Sequence, residues 1–203
     1  MTPVLLVPPV SEPVSLDETK AWLRLDTSDE DAVVSSLIVA ARCAIEAATR
    51  RLLVTQTWRL SLDGWGARSV ASPLHALAQL DARTTAIPLA PVASLAAIRV
   101  YDAAGAPQTL PSAAYQVLGA PDNARLLFLA SPPTPGRSAA GIEIDVVAGF
   151  GAPADVPPPL RQAMLMLVAT WFENRGDDTA AGQRGLPPSV ASLIAPFCRP
   201  RLV

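Results

Sequence analysis

The spacing of hydrophobic residues changes twice along the chain. Residues 15–51 carry apolar side chains at the helical period, residues 54–150 show short alternating runs, and residues 156–195 return to the helical period. This order predicts an α+β fold, in which N- and C-terminal helices form a helical core and a small antiparallel β module is inserted between them. We place the helical core at 1–53 and 154–195, the β module at 54–153 and a C-terminal arm at 196–203.

Two helices are predicted before the β module. Ser15 and Glu18 have the spacing of a capping box, and the helix that they begin ends near Leu25. Ser28 and Asp31 repeat that spacing and predict the start of a long, alanine-rich helix. Its small side chains would allow another helix to approach closely.

The middle of the chain has the alternation that is typical of half-buried strands. In the stretch TQTWRLSLDGW, Trp58, Leu60 and Leu62 alternate with polar residues. Glycine- and proline-rich turns such as DAAGAP and SPPTPGRS separate the later runs. The further predicted strands are 95–101, 114–118, 125–129 and 141–147.

The C-terminal part predicts two more helices. From Leu160 onward the first is apolar on every side, which predicts that it is buried on every side, and Gly176 is its expected C-cap. Pro187 and Pro188 predict the start of a short last helix that reaches about Ala195.

Composition indicates a soluble globular protein without a strong affinity for nucleic acid. Half of the 203 residues are apolar, and the 16 basic and 18 acidic residues are spread along the chain for a net charge of −2. The longest apolar run, at 163–172, is about half the ~20 residues of a membrane-spanning helix, so we expect no membrane span. Cys43 and Cys198 fit neither a disulfide framework nor a zinc site and are expected to be thiols in a reducing cytoplasm.

The residue types of an active site are present but not in a convincing arrangement. His75 is the single histidine, and Glu143 with Asp145 could form an acid/base pair or simply belong to a solvated sheet face. The sequence contains neither a nucleophile elbow nor a phosphate-binding loop. We therefore predict no catalytic, cofactor-binding or metal-binding residues.

The sharpest polar cluster is Glu173, Asn174 and Arg175, directly after Trp171 and Phe172. It could be a functional site completed by residues from elsewhere, or the polar end of a buried helix. Aromatic residues beside an arginine favour a protein interface. The predicted interface residues are Trp171, Phe172, Asn174 and Arg175.

The C-terminal stretch PFCRPRLV leaves two interpretations open. It has no hydrophobic periodicity, as expected for a disordered terminus, yet it combines apolar and arginine residues as a docking arm would. The residues that would make such contacts are Phe197, Arg199, Arg201 and Leu202.

Several segments, in order, resemble the head–tail connector, or adaptor, proteins of long-tailed phages and of phage-like gene transfer agents. The resemblance begins with VSLDETKAWLRLDTSDEDAVVSSLIVAARCAIEAATRRLLVTQTW and continues through PLAPVASLAAIRVYDAAG, AGFGAPADVPPPLRQAML and TWFENRGD. It covers residues 14 to about 178 and depends on the order and spacing of the segments.

The resemblance implies a virion structural protein rather than an enzyme. It implies a ring of about a dozen copies beneath the portal, closed by head-to-tail contacts, with the portal and stopper or tail proteins as partners. DNA would pass through the lumen without sequence-specific binding, and residues 196–203 would dock on the portal. The particle would assemble in the bacterial cytoplasm, without a membrane or cofactor.

Two other functions remain open at this level. The chain could be another head–tail joining part, such as a stopper or a tail-completion protein. It could also be a small cytoplasmic enzyme, in which Glu143, Asp145 or the cluster at 173–175 would converge in a pocket.

Overall fold

The structure is a computed structural model that describes residues 2–66, 83–174 and 185–199. Its helices and antiparallel strands confirm the predicted α+β class. The helices are α1 (Leu16–Leu23), α2 (Asp31–Thr49), α3 (Pro158–Glu173) and α4 (Pro188–Ile194). The strands are β1 (Thr2–Val7), β2 (Gln56–Leu62), β3 (Thr84–Ala86), β4 (Val92–Tyr101), β5 (Pro107–Thr109), β6 (Tyr115–Leu118), β7 (Arg125–Phe128) and β8 (Ile142–Ala148).

The described residues form two compact units. One contains residues 9–54 and 150–199, and the other contains residues 2–8 and 55–149. The helices lie in the first unit and the strands in the second. The first strand, β1, was not predicted, because its residues were placed in the helical core at 1–53.

The helical unit begins with a cap that the sequence predicted. The Ser15 hydroxyl accepts a hydrogen bond from the Glu18 backbone N–H at 3.1 Å, and α1 ends at Arg24 in the left-handed conformation. The second predicted cap was wrong. Ser28 lies in a turn, where its carbonyl accepts from the Asp31 N–H at 3.2 Å, and α2 begins at Asp31 without a side-chain cap.

The core of the helical unit forms around α3, which packs against both α2 and α4. Leu160, Met164, Leu167 and Val168 are fully buried, together with Ile45 of α2. The prediction that α3 is buried on all sides from Leu160 onward is wrong near the start of the helix, where Arg161 and Gln162 are half-buried. From Ala163 to Val168 the side chains are buried, apart from the half-buried Met166. Toward its C-terminal end the side chains are only half-buried.

Of the described helices, α2 alone is long and apolar enough to cross a membrane by length and composition. It is not visible as an uninterrupted apolar run in the sequence, because serines and Arg42 lie within it. Only 28 % of its apolar stretch is buried within the chain. Arg42 is buried at mid-helix, where its Nε donates to Glu12 at 2.7 Å and its Nη1 donates to Glu46 at 3.0 Å.

The β unit contains two antiparallel sheets. Five strands lie in the order β1-β2-β8-β4-β5, and three lie in the order β3-β7-β6. In the larger sheet Leu60, Ile144 and Ile98 are aligned across three strands and fully buried, while Arg59 and Asp145 are aligned on the opposite face. Strands β3 and β5 were not predicted, because three residues are too few to show an alternating pattern.

Candidate functional site

The predicted interface residues at the end of α3 lie at the border between core and solvent. Trp171 and Phe172 are half-buried and pack against the helical core, and Glu173 and Asn174 are exposed. Asn174 ends the helix: its backbone N–H and its Nδ2 donate to the Thr170 carbonyl at 3.1 and 2.8 Å. The same segment therefore completes the core and presents polar groups to solvent.

Arg175 lies outside the described residues, so its predicted role at this end of the helix stays a prediction. The same holds for Gly176, the expected C-cap, and for His75.

The first half of the predicted arm lies against the C-terminal end of α2. The Phe197 carbonyl accepts from Arg51 Nε at 2.8 Å, and the Arg199 N–H donates to the Thr49 carbonyl at 3.2 Å. Phe197 is half-buried against the helical core. The other two predicted contacts, Arg201 and Leu202, lie outside the described residues.

Glu143 and Asp145, the candidate acid/base pair, belong to an ion-pair network on the polar face of the larger sheet. Asp145 accepts from Arg59 Nε at 2.7 Å, from Arg59 Nη2 at 3.0 Å and from Arg99 Nη1 at 2.6 Å. Glu143 lies 3.4 Å from Arg59 Nη1 and accepts from the Tyr101 hydroxyl at 2.8 Å. Both carboxylates are therefore held by donors on neighbouring strands.

The network favours the charged forms of Asp145 and Arg59. Burial acts to raise the pKa of Asp145, but the hydrogen bonds and positive charges of Arg59 and Arg99 outweigh it and lower that pKa below its usual range. The hydrogen bond to Asp145 raises the pKa of Arg59, and the hydrogen bond to Glu143 raises the pKa of Tyr101. An ionised, doubly paired Asp145 is suited to holding strands together and poorly suited to transferring a proton at neutral pH.

The described residues contain no group of three or more His, Cys, Asp or Glu side chains that could hold a metal ion. They do contain an open groove of about 590 Å³ in the helical unit, with a mainly apolar lining that includes Pro13, Leu16, Val39 and Pro153. Among its polar lining residues are Arg161 and Glu18, and Arg161 Nη2 donates to both carboxylate oxygens of Glu18 at 2.8 Å. Neither Glu143, Asp145 nor Glu173 lines this groove.

The exposed face of α2 is unusual for a helix in water. Between Asp31 and Arg50 it carries no charged side chain among its exposed positions, and Val39 is 42 % exposed. The small size of the alanines predicts that another helix can approach closely, and several of them are exposed in the described structure. The exposed positions of this α2 face are Ala32, Val33, Ser35, Ser36, Val39, Ala40, Cys43, Ala47 and Ala48.

Strand β1, which the sequence pattern did not predict, presents a second apolar surface. It pairs with β2 on one side and forms the end of the larger sheet. Val4, Leu5, Leu6 and Val7 are all exposed large hydrophobic residues. A short apolar run bounded by Pro3 and Pro8 was the available signal for a strand.

Comparison with known proteins places these features in context. Residues 13–75 match the model of the phage gp6-like head-tail connector proteins. No curated protein sequence matches the chain.

Three solved structures are similar over the whole chain. A chain from the neck of an empty gene transfer agent particle, computed with C6 symmetry, is 30 % identical with a TM-score of 0.78. A chain from the virion of a native gene transfer agent particle is 29 % identical with a TM-score of 0.77. A chain from the neck of a native particle, computed with C12 symmetry, is 28 % identical with a TM-score of 0.72.

Each of these matches covers 100 % of this chain and 98 % of the other chain. The similarity therefore includes the helical unit, the inserted β unit and the N-terminal strand. The chain belongs to the phage gp6-like head–tail connector protein family.

Proposed function

We propose that this virion protein is the adaptor of the head–tail joint and that it assembles as a ring of about twelve copies beneath the portal. As a head–tail connector it is a structural protein of a phage-like particle. The observation that supports a ring of about twelve copies is the full-length match to a chain from a neck computed with C12 symmetry. Assembly in the bacterial cytoplasm before the particle is released is part of the same proposal.

The α2 face supports self-association. A helix that is apolar enough to cross a membrane, but is largely uncovered by the other described residues, favours contact with another surface. The buried ion pairs of Arg42 fit a helix that packs against protein, because a charged side chain at mid-bilayer is costly. Small side chains on this face would allow a neighbouring copy to pack closely.

Contacts with a neighbouring subunit or with the portal are proposed to come from the end of α3 and from the C-terminal arm, and the arm is the part proposed to dock on the portal. The half-buried Trp171 and Phe172 and the exposed Asn174 support this, because they combine apolar area with an exposed amide side chain. The proposed contact residues are Trp171, Phe172, Asn174, Arg175, Phe197, Arg199, Arg201 and Leu202. Stopper or tail proteins would bind the opposite end of the ring.

The charge distribution suits a ring through which DNA passes without being held. The net charge is −2, and on the larger sheet Arg59 and Arg99 are paired with Asp145 instead of being presented to phosphate groups. We therefore expect binding of duplex DNA to be weak and independent of sequence.

The test is assembly with purified portal rings from the same particle. The chain alone and the mixture would be compared by light scattering and by electron microscopy with symmetry analysis. We expect a twelvefold ring seated on the portal. A chain that stays monomeric at high concentration and also fails to bind portal rings would contradict the proposal, whereas binding only to a preformed adaptor ring would assign the chain as a stopper.

The two cysteines provide a readout of contact surfaces in the same experiment. Cys43 lies on the α2 face and Cys198 in the C-terminal arm, and both are exposed thiols. Alkylation followed by mass spectrometry should show that Cys43 becomes protected when the ring forms. Protection of Cys198 only after the portal is added would support the docking role of the arm.

A further inference from the structure

Strand β1 leaves one edge of the larger sheet open. Its only partner among the described strands is β2, so the backbone groups on its other side face away from the sheet. The opposite edge of the same sheet is formed by β5, which has three residues and begins with Pro107. A short edge with a proline is a common protection against pairing with other chains. Strand β1 has Pro3 at its second position, but it is six residues long and its last four residues, Val4 to Val7, contain no proline.

The side chains of β1 are exposed on both faces of the strand. Val4 is 50 % exposed, Leu5 41 %, Leu6 38 % and Val7 51 %. Consecutive residues in a strand point to opposite faces, apart from a local shift in register between Leu5 and Val7. Apolar area is therefore presented to solvent on both sides of the sheet as well as at its edge.

The edge also lacks the charged residues that keep most free strands apart. Residues 1–11 contain no Asp, Glu, Lys or Arg, and the first charged residue is Glu12. A long apolar edge without charged residues is a site for strand pairing or aggregation unless another surface covers it. Such a segment can bind an incoming chain through backbone hydrogen bonds along its edge and through side-chain burial on both faces.

We infer that β1 is a contact between neighbouring copies of this chain in the ring, an inference that rests on the proposed function. In a cyclic ring each copy meets two identical neighbours through two different surfaces, so a surface at one edge of the sheet can be covered by the next copy. The purely apolar character of β1 also fits a permanent contact between identical chains, since interfaces in homo-oligomers are more apolar than those between separately stable partners. The matched neck chains support a second copy as the occupant, because they were solved with sixfold and twelvefold symmetry.

Photo-crosslinking of the full chain identifies what covers β1. In a background in which Cys43 and Cys198 are replaced by serine, Leu5→Cys would carry a maleimide benzophenone probe. The labelled protein would be irradiated as a monomer, as a ring alone and as a ring on the portal. We expect a crosslinked product of twice the chain mass of 21.2 kDa in both ring samples and not in the dilute monomer.

Charge substitutions give an independent readout with a matched control. Val4→Lys and Leu5→Lys place a charge on each face of β1, because these two residues pair in regular register with β2. Leu129→Lys makes the same kind of change at a 54 % exposed leucine next to β7. We expect both β1 variants to fold with an unchanged urea midpoint but to need about tenfold more protein to form rings. The Leu129→Lys variant should form rings like the wild type.

The outcomes separate this inference from the proposed function. If the wild type forms neither free rings nor rings on the portal, the proposed function fails. If the wild type forms rings, the inference is overturned by crosslinks from position 5 only to portal or tail proteins, or by normal assembly of both lysine variants. Should a lysine variant unfold, the crosslink on the Leu5→Cys protein still decides the question.

Discussion

Replacing Asp145 with asparagine tests the role assigned to the ion-pair network. The side chain of Asp145 is only 7 % exposed and accepts three hydrogen bonds from two arginines on the strands beside it. Asp145→Asn preserves the shape but removes the negative charge, and the new amide group faces guanidinium donors. We therefore expect the variant to fold and to be less stable.

The magnitude follows from burial. Removing one partner of a buried ion pair costs about 3–5 kcal/mol, because the other charge stays buried without compensation. The Arg59 and Arg99 side chains are 30 % and 29 % exposed, so water can solvate part of the positive charge that is left without its carboxylate partner. We expect the free energy of unfolding of the β unit to fall by about 2 kcal/mol, which lowers the urea midpoint by about 1 M.

Tryptophan fluorescence can report on the β unit alone. Trp58 and Trp65 lie in that unit, and replacing Trp22 and Trp171 of the helical unit with phenylalanine removes their contribution. The matched control is Glu143→Gln, whose amide oxygen can still accept from Tyr101, and we expect it to cost less than about 1 kcal/mol.

The pH dependence provides a second test. Because the pKa of Asp145 is lowered in the folded protein, its stabilising effect is fully present above the unfolded-state value of about 3.9 and is lost as the pH falls through the folded value. The difference between wild type and Asp145→Asn should therefore be constant near neutral pH and shrink below about pH 4. Equal stabilities at pH 7, or a difference that does not change in acid, would refute the role of the charged network.

Three further predictions concern other parts of the chain. Arg42→Ala leaves the carboxylates of Glu12 and Glu46 without this buried arginine and should lower the free energy of unfolding of the helical unit by about 3 kcal/mol. Arg42→Lys should recover part of the loss. An unchanged thermal midpoint for the alanine variant would contradict this. Gly119→Ala should lower the free energy of unfolding by about 1–3 kcal/mol, because φ is +70° there and a methyl group would meet the Asn123 carbonyl oxygen. Urea unfolding of the β unit measures the loss. The control is Gly64→Ala, where an added methyl group has open space around it. Asn174→Ala removes a side-chain hydrogen bond at the end of α3 and should cost about 0.5–1 kcal/mol in thermal unfolding, so a loss of several kcal/mol would mean that this residue does more than end the helix.

The order of secondary structure could be predicted because the patterns are local. The helical period at both ends and the alternation between them are properties of neighbouring residues, and they predicted α1 to α4 and the central strands of the larger sheet. The Ser15 cap is also local, since the hydroxyl and the N–H that it accepts from are three residues apart. The Ser28 cap failed although its spacing is the same, because the backbone there forms a turn before the helix starts.

The partners of charged residues could not be predicted from spacing. Asp145 is 86 residues from Arg59 and 46 residues from Arg99 in sequence, and only strand register brings the three side chains together. The same is true of Arg161 and Glu18, which are 143 residues apart. The sequence pattern therefore left Glu143 and Asp145 as either an acid/base pair or part of a solvated sheet face, whereas strand alignment places them in a partly buried ion-pair network.

The sequence by itself determined the α+β class, the helical ends with strands between them, and the resemblance to head–tail connector proteins, because each depends on residues close together in the chain or on the order of segments. Only the tertiary structure decided which apolar residues are covered. The apolar residues of α3 and those of β1 look equally suitable for a core, yet Leu160 and Leu167 are fully buried while Val4 and Val7 are about half exposed. The reason is that burial depends on which elements pack against each other, and the residues that the structure describes leave an apolar strand and one face of α2 uncovered.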